Sequence, residues 1–306
     1  NTENITGTQQ LSDGNNYFWV VADIKATATV GNIVDYSVSQ ITVNSTNQTP
    51  TDNATGSITI KAGLSGTKTI ATSGGDYSSI ATAISDLNNL GIDGPVVFEF
   101  ADGFTETLTS SLTLNVDGTS STNTITFRPA SGVTNDVVID AATYEALGFN
   151  GSQYVIIDGR PGGTGSNVKL IFKNSSKSYP VLSFYNDSKN ITVQYCKILG
   201  QNTSGVINFG SGTTTGNEQI TIDNCEVGPN GTAYPAFLIY SYDPSASRLN
   251  KKIVISNCKF YDWKSVFKDT YSAAIFLDFG TTNCYILNNS FYQSSHDGEE
   301  YLFFAI

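Results

Sequence analysis

The chain of 306 residues contains no methionine and a single histidine, and Asp, Glu, Lys and Arg together make up only 14% of it, against about 25% in an average soluble protein. Each scarcity excludes something. One histidine and four cysteines, none spaced as Cys-x-x-Cys, cannot complete a Cys/His zinc set. The 16 basic residues form no cluster and the net charge is −11, so the electrostatic footprint of a nucleic-acid binder is missing, as is a polybasic membrane patch. No apolar run approaches the about 18 residues of a transmembrane helix, and no secretory-signal pattern is present. The Ala, Leu, Glu and Lys bias of an all-α protein or a coiled coil is absent too.

What polarity there is comes from Asn, Ser, Thr and 28 glycines, alongside 16 Tyr and 17 Phe. Aromatic and β-branched residues suit strands, and Gly and Asn suit turns, so the composition predicts an all-β protein. In the first 45 residues, Tyr17-Phe18-Trp19-Val20-Val21 follows the turn signal Asp13-Gly14-Asn15-Asn16, and Val34, Tyr36 and Val38 alternate with polar residues. Asn44 to Gly56 is almost wholly polar and reads as a linker, which divides the chain into residues 1–45, a linker over 46–57 and a domain over 58–306. One helix stands out over Tyr77 to Leu90: Ile80, Ala83, Ile84, Leu87 and Leu90 form an apolar stripe, Asp76 or Ser78 is placed to cap its start, and Gly91 sits at its end. The chain opens in a polar segment at Asn1 and closes in the apolar Phe304-Ala305-Ile306, and is read as a piece of a longer protein.

The informative pattern lies further on. Ile191-Thr-Val193-Gln-Tyr195-Cys196-Lys-Ile198, Ile220-Thr-Ile222-Asp-Asn224-Cys225-Glu-Val227, Ile253-Val-Ile255-Ser-Asn257-Cys258-Lys-Phe260 and Cys284-Tyr-Ile286-Leu-Asn288-Asn289-Ser-Phe291 repeat at intervals of about 30 residues. Within each, the apolar period is two, so each unit is a coil of strand rather than a helix pair. Asn at the turn tolerates the left-handed conformation, and equivalent Asn side chains on neighbouring coils are placed to hydrogen-bond up the stack. Cys196, Cys225 and Cys258 are expected to form an inward column of free thiols, with Asn289 in the same register. A second strand precedes each repeat, at Val181–Phe184, Val206–Phe209, Phe237–Tyr240 and Ile275–Leu277. Earlier coils are read at Val96–Phe98, Leu112–Leu114, Ile125–Phe127, Val137–Ile139 and Val155–Ile157. The helix is expected to cover the open end of the first coil.

On these residues the chain resembles the right-handed parallel β-helix family, the pectate-lyase-like solenoids. Gly75-Asp76-Tyr77, Ala83-Ile84, Gly91-Ile92-Asp93-Gly94-Pro95-Val96-Val97-Phe98 and Ile125-Thr126-Phe127-Arg128-Pro129 are similar to the first coils of large secreted surface proteins of the Bacteroidetes type. Leu11-Ser-Asp-Gly14-Asn-Asn-Tyr17-Phe18-Trp19, Asp23-Ile24 and Ala28-Thr-Val30-Gly31-Asn32 resemble the C-terminal part of the sialidase-associated N-terminal β-sandwich module. The resemblance implies a partial β-sandwich followed by a β-helix with an N-terminal capping helix. It also implies a secreted, extracellular or outer-surface location reached by type IX secretion, with secretion or surface-anchoring machinery as a partner.

Enzymes of this fold that act on polyuronates align carboxylates and a basic group on one strand face. Here the outward position of the repeat reads Gln194, Asp223, Ser256 and Leu287, one carboxylate rather than a cluster. Asp158-Gly159-Arg160 could place a carboxylate beside Arg160 or Arg128, but Asp-Gly is a turn dipeptide and is read as one. His296-Asp297, with Glu299 and Glu300, reads as a polar loop, and Asp243, Arg248 and Asp278 have no assignable partner. Tyr234, Tyr240, Tyr242, Tyr261 and Trp263 fall near coil strands, and Tyr242, Tyr261 and Trp263 are the candidate sugar-stacking residues. The expected role is a non-enzymatic adhesin, stalk or module that grips polysaccharide or cell-surface glycan, with no cofactor and no metal. The alternative is a polysaccharide lyase or glycoside hydrolase working through Asp158, Asp223 and Arg160.

Overall fold

The computed structural model describes residues 10, 12–16, 24–25, 27–51, 56–242, 247–264, 271–294 and 302–304. Chain contacts divide it into two units, Asn1–Lys61 and Ala62–Ile306. In the first, Ile33–Val34 pairs antiparallel with Ile58–Thr59, and Ile41–Val43 pairs antiparallel with Thr46–Gln48. Asn44 and Ser45 between the latter strands both have positive φ, the conformation of a two-residue hairpin turn that follows the strand twist. Thr46–Gln48, read as linker because it carries no apolar residue, is therefore a strand. Ile58–Thr59, read as the start of the solenoid, belongs to the first unit. Leu11, Tyr17, Phe18, Trp19 and Asp23 of the sandwich resemblance lie outside the described residues.

The second unit is a parallel β-helix of about seven turns. Three strands make each turn and stack into three sheets of ten, seven and seven strands. Counting from Ile92–Phe100, the third turn consists of Gln153–Asp158, Leu170–Lys173 and Leu182–Tyr185, and the fourth of Lys189–Gln194, Cys196–Gly200 and Ile207–Phe209. All pairings along the three stacks are parallel. The four sequence repeats are the successive corners between the first and second sheets. Tyr195, Asn224, Asn257 and Asn288 turn those corners with φ of 52–54°. Their side chains do not bond one another: Asn224 and Asn257 both donate to Asp223. The rungs are held by backbone bonds, such as Asn224 N to Ser256 O at 3.0 Å. An asparagine ladder does exist, but at the corner between the third and first sheets. There Asn217 Nδ2 donates to Asn250 Oδ1 at 2.7 Å, and both residues are fully buried.

Period-two alternation builds the interior. Phe98 stacks on Phe127 with ring centroids 4.8 Å apart, and Phe149, Phe184 and Phe209 form a second stack at 4.8 and 4.9 Å. These spacings equal the strand separation, so in-register Phe residues must stack. Cys196, Cys225 and Cys258 are buried in successive turns, and all four cysteines are free. Asn289 continues the column, taking the Cys258 amide on its Oδ1 and donating to Ile255 O.

The helix α1 runs Ile80–Leu90, with Ile80, Ala83, Ile84 and Leu87 buried and Gly91 in the left-handed region after it. Its cap is Ser79, whose hydroxyl accepts from the Thr82 amide at 3.1 Å. Asp76, one of the two caps expected, instead accepts from the amide and hydroxyl of Thr69. The helix lies against the first strands of the second and third sheets: Glu106 accepts from the Ile80 amide, and Asn88 donates to Thr113 O. The edges that would otherwise be unpaired at this end are thereby covered.

Candidate functional site

The outer face of the first sheet carries two features side by side. One is a polar column. Glu99 pairs in register with Arg128, and Asp158 with Gln194, Asp223, Ser256 and Leu287 in turn. Arg128 and Asp158 each follow a residue of the paired couple Phe127 and Ile157, so the column is continuous. The reading of a lone carboxylate is thus corrected. Asp158 and Asp223 share one face, two rungs apart, with Gln194 between them and Arg160 beside them.

The chemistry of that column is ionic and satisfied. Arg160 grips Asp158 with two bonds, Nε to Oδ1 at 2.9 Å and Nη2 to Oδ2 at 2.7 Å, and Gln194 Nε2 adds a third at 2.9 Å. Asp158 is 4% exposed although its position faces outward, because Arg160 and the short helical turn Pro161–Gly163 fold over it. The Asp158 hydrogen bonds hold Arg160 above its ordinary pKa, and its guanidinium lies 4.4 Å over the Tyr195 ring. Burial would raise the Asp223 carboxyl, but Ser256, Asn257 and Asn224 all donate to it. Together with the charge of Arg160 they bring it below the usual range. At the upper end Arg128 donates to Glu99 Oε1 at 2.8 and 3.0 Å. Gly159 follows the strand where no side chain fits: a Cβ would come within 1.8 Å of Tyr195 O.

The second feature is a groove of about 730 Å³ beside the column. Its floor is the neighbouring outward ladder, Thr192, Thr221, Val254 and Tyr285 in register. Its wall is Tyr154, Asn190, Gln219, Lys252 and Asn283, all left-handed with φ of 52–57°. Non-Gly residues there cost about 1–2 kcal/mol each, yet the conformation recurs from turn to turn, splaying one residue per turn outward. The one cation of this wall, Lys252, is neutralised by Glu218 at 2.6 Å. Tyr285 is 56% exposed at one end. The groove is therefore neutral, hydroxyl- and amide-rich, and aromatic at both ends.

The aromatic residues singled out from the sequence do not form one surface. Tyr242 is exposed after a strand of the third sheet, whereas Tyr261 is on the second sheet, half-buried over Gly228 and stacked on Tyr292 at 5.6 Å. Trp263 is buried, with its ring edge-on to Phe291, so no face is offered to a sugar. Asp243, His296, Asp297, Glu299 and Glu300 lie outside the described residues. Asp278 caps the Phe279 amide. Among the described residues no group of three or more His, Cys, Asp or Glu is arranged to hold a metal.

No family model matches the chain, and no curated protein matches it. Two solved structures are similar over 78% of this chain and 90% of their own. Both are of the pectin methylesterase from Aspergillus niger. The deglycosylated form shares 15% identity at a TM-score of 0.25. The penultimately deglycosylated form shares 14% at 0.24. Likeness at this level transfers neither residues nor activity.

Proposed function

We propose that the protein binds a neutral polysaccharide in the groove on the outer face of the first sheet, as a module displayed or secreted outside the cell. The observation that carries this reading is the groove itself: Thr, Asn and Gln side chains repeated at strand spacing, flanked by Tyr154 and Tyr285, with no unpaired charge among the residues named. Such a surface offers hydrogen bonds and ring faces to an uncharged polymer of hydroxyls without a strong field. The adjacent column supports binding rather than turnover. Asp158 is taken up by Arg160 and Gln194, and Asp223 is held below its usual range by its donors, whereas bond cleavage by two carboxyls needs one that stays protonated. The export route implied by the surface-protein resemblance belongs to the same reading.

The test is a glycan array followed by affinity electrophoresis on neutral and acidic polymers. Tyr285→Ala should weaken binding about tenfold, the effect of losing one large aromatic contact. Undiminished binding in that variant would sink the groove assignment.

A second reading rests on the column. Asp158 and Asp223 stand two rungs apart on one face, with Arg160 beside Asp158. Sugar or ester release that disappears in both Asp158→Asn and Asp223→Asn would favour this reading.

A further inference from the structure

A different cluster stands on the outer face of the third sheet. Gly148, Ser183 and Asn208 occupy one register position on three successive strands. Gly148 has no side chain, and a Cβ there would lie 2.7 Å from Glu145 Oε2 and 3.2 Å from the Tyr185 ring. The space is filled by the Glu145 carboxyl, which enters from the preceding loop and accepts a hydrogen bond from the Ser183 hydroxyl. The Glu145 amide is anchored on Ser111 Oγ at 3.2 Å. Tyr185 closes the side of the cluster and bonds to Thr113. Burial pushes the Glu145 carboxyl up, against the lowering effect of the Ser183 hydroxyl. A carboxylate moved toward neutrality is a better proton acceptor for a hydroxyl than an ordinary one.

We propose that Ser183 is a nucleophile, with Glu145 as its general base, in an acyl-transfer site that takes a short O-acyl ester. Ser183 Oγ attacks the acyl carbonyl carbon while its proton passes to Glu145. The developing oxyanion is met by the Asn208 amide, which uses one N–H on Ser204 O at 3.3 Å and has a second to offer. Collapse breaks the ester C–O bond, and Glu145 returns the proton to the departing alkoxide oxygen. Water then attacks the acyl-serine, giving its proton to Glu145, which passes it back to Ser183 Oγ as the acid leaves. No oxidant, metal or cofactor enters the balance. Esters fit because their carbonyls are more electrophilic than those of amides. Ser183 is 8% exposed, so only a small acyl group can reach its hydroxyl.

The experiment uses the whole chain with a fluorophosphonate probe and with p-nitrophenyl acetate. We expect a single phosphonyl adduct mapped to Ser183, absent in Ser183→Ala. The isosteric Glu145→Gln should label and hydrolyse at least tenfold more slowly. The wild-type labelling rate should rise with pH through a midpoint above the ordinary carboxyl range, and Glu145→Gln should lack that inflection, which a purely structural Glu145 would not cause. Melting curves establish that each variant is folded. No adduct on Ser183 in the folded protein, or equal labelling in Glu145→Gln, would overturn the assignment. Ser183→Ala leaves the groove on the first sheet intact, so glycan binding and acyl transfer stand or fall separately.

Discussion

The backbone amide of Ile80, first residue of α1, donates to Glu106 Oε2 at 2.6 Å. Glu106 pairs in register with the buried Ile139, so an acidic residue occupies a position that apolar residues fill in later turns. Its carboxyl is raised by burial, more than the Ile80 and Ala81 amides lower it. The two effects can be separated. Glu106→Ala leaves a helix amide without its acceptor and should cost about 1–3 kcal/mol. Glu106→Gln keeps an acceptor and removes the buried charge, so it should match or exceed the wild type at pH 7. The sign follows from linkage. A carboxyl raised in the folded state stabilises below its unfolded pKa and loses that contribution as pH rises, so the advantage of Gln should vanish near pH 4. Melts of both variants at the two pH values check this.

The same helix offers a harsher test. Ile84 is 3% exposed on the face turned to the first turn. Ile84→Asp places an unpaired charge in that core and should cost more than about 4 kcal/mol. An unchanged melt would remove α1 from its role as the cap of the solenoid.

Acid should loosen the loops before it melts the sheets. Asp187 accepts from the amides of Thr213, Thr214, Thr215 and Gly216 and from the hydroxyls of Thr213 and Thr214, at 2.6–3.1 Å. Burial raises its carboxyl, but these donors outweigh it and hold it far below the usual range. A depressed carboxyl stabilises above its unfolded pKa and loses that contribution as pH falls through the folded one. Asp187→Asn should cost about 2 kcal/mol at pH 7, allowing for solvent screening. The difference from wild type should shrink at strongly acid pH, with hydrogen exchange at 213–216 as the local readout.

The thiol column makes a chemical prediction. Burial raises the Cys225 thiol, and Cys258 is raised by its contact with Cys225 and then by burial. Thiolate is the reactive form, so Cys225 and Cys258 should resist alkylation in the native protein, and Cys196, fully buried, is shielded from the reagent. Only the half-buried Cys284 should react slowly, and all four should react in denaturant. Rapid native labelling of Cys225 would contradict the stacked interior.

The sequence showed the repeat where local chemistry and long-range position agree. Ile220, Ile222 and Cys225 alternate inward, and Asn224 suits the corner it turns. Left-handed Tyr154, Gln219 and Lys252 were not legible, because nothing in those side chains favours that conformation; their neighbours across the stack impose it. Asp158 escaped for a different reason. Gly159 stands where later turns have Tyr195 or Asn224, and the segment 159–169 lengthens the turn, so Asp158 and Gln194 fall out of the period of the later repeats although they are paired. Trp263 was misplaced because strand-end position does not distinguish a ring over the surface from one packed on Phe291.

The ion pair of Asp158 and Arg160 decides what the polar column is for. Asp158 is nearly inaccessible, and Arg160 supplies two of its side-chain bonds. If the column is structural, Arg160→Ala leaves a buried carboxylate with Gln194 and the residue-160 amide, and should cost about 3 kcal/mol, the lower end for a broken buried pair because Arg160 is itself partly exposed. Asp158→Asn combined with Arg160→Met removes both charges and should cost less than Arg160→Ala alone. Glycan binding should survive in each variant that remains folded. If Arg160→Ala instead melts with the wild type, the pair carries no stability, and its retention on the groove-side face is better explained by contact with a substrate.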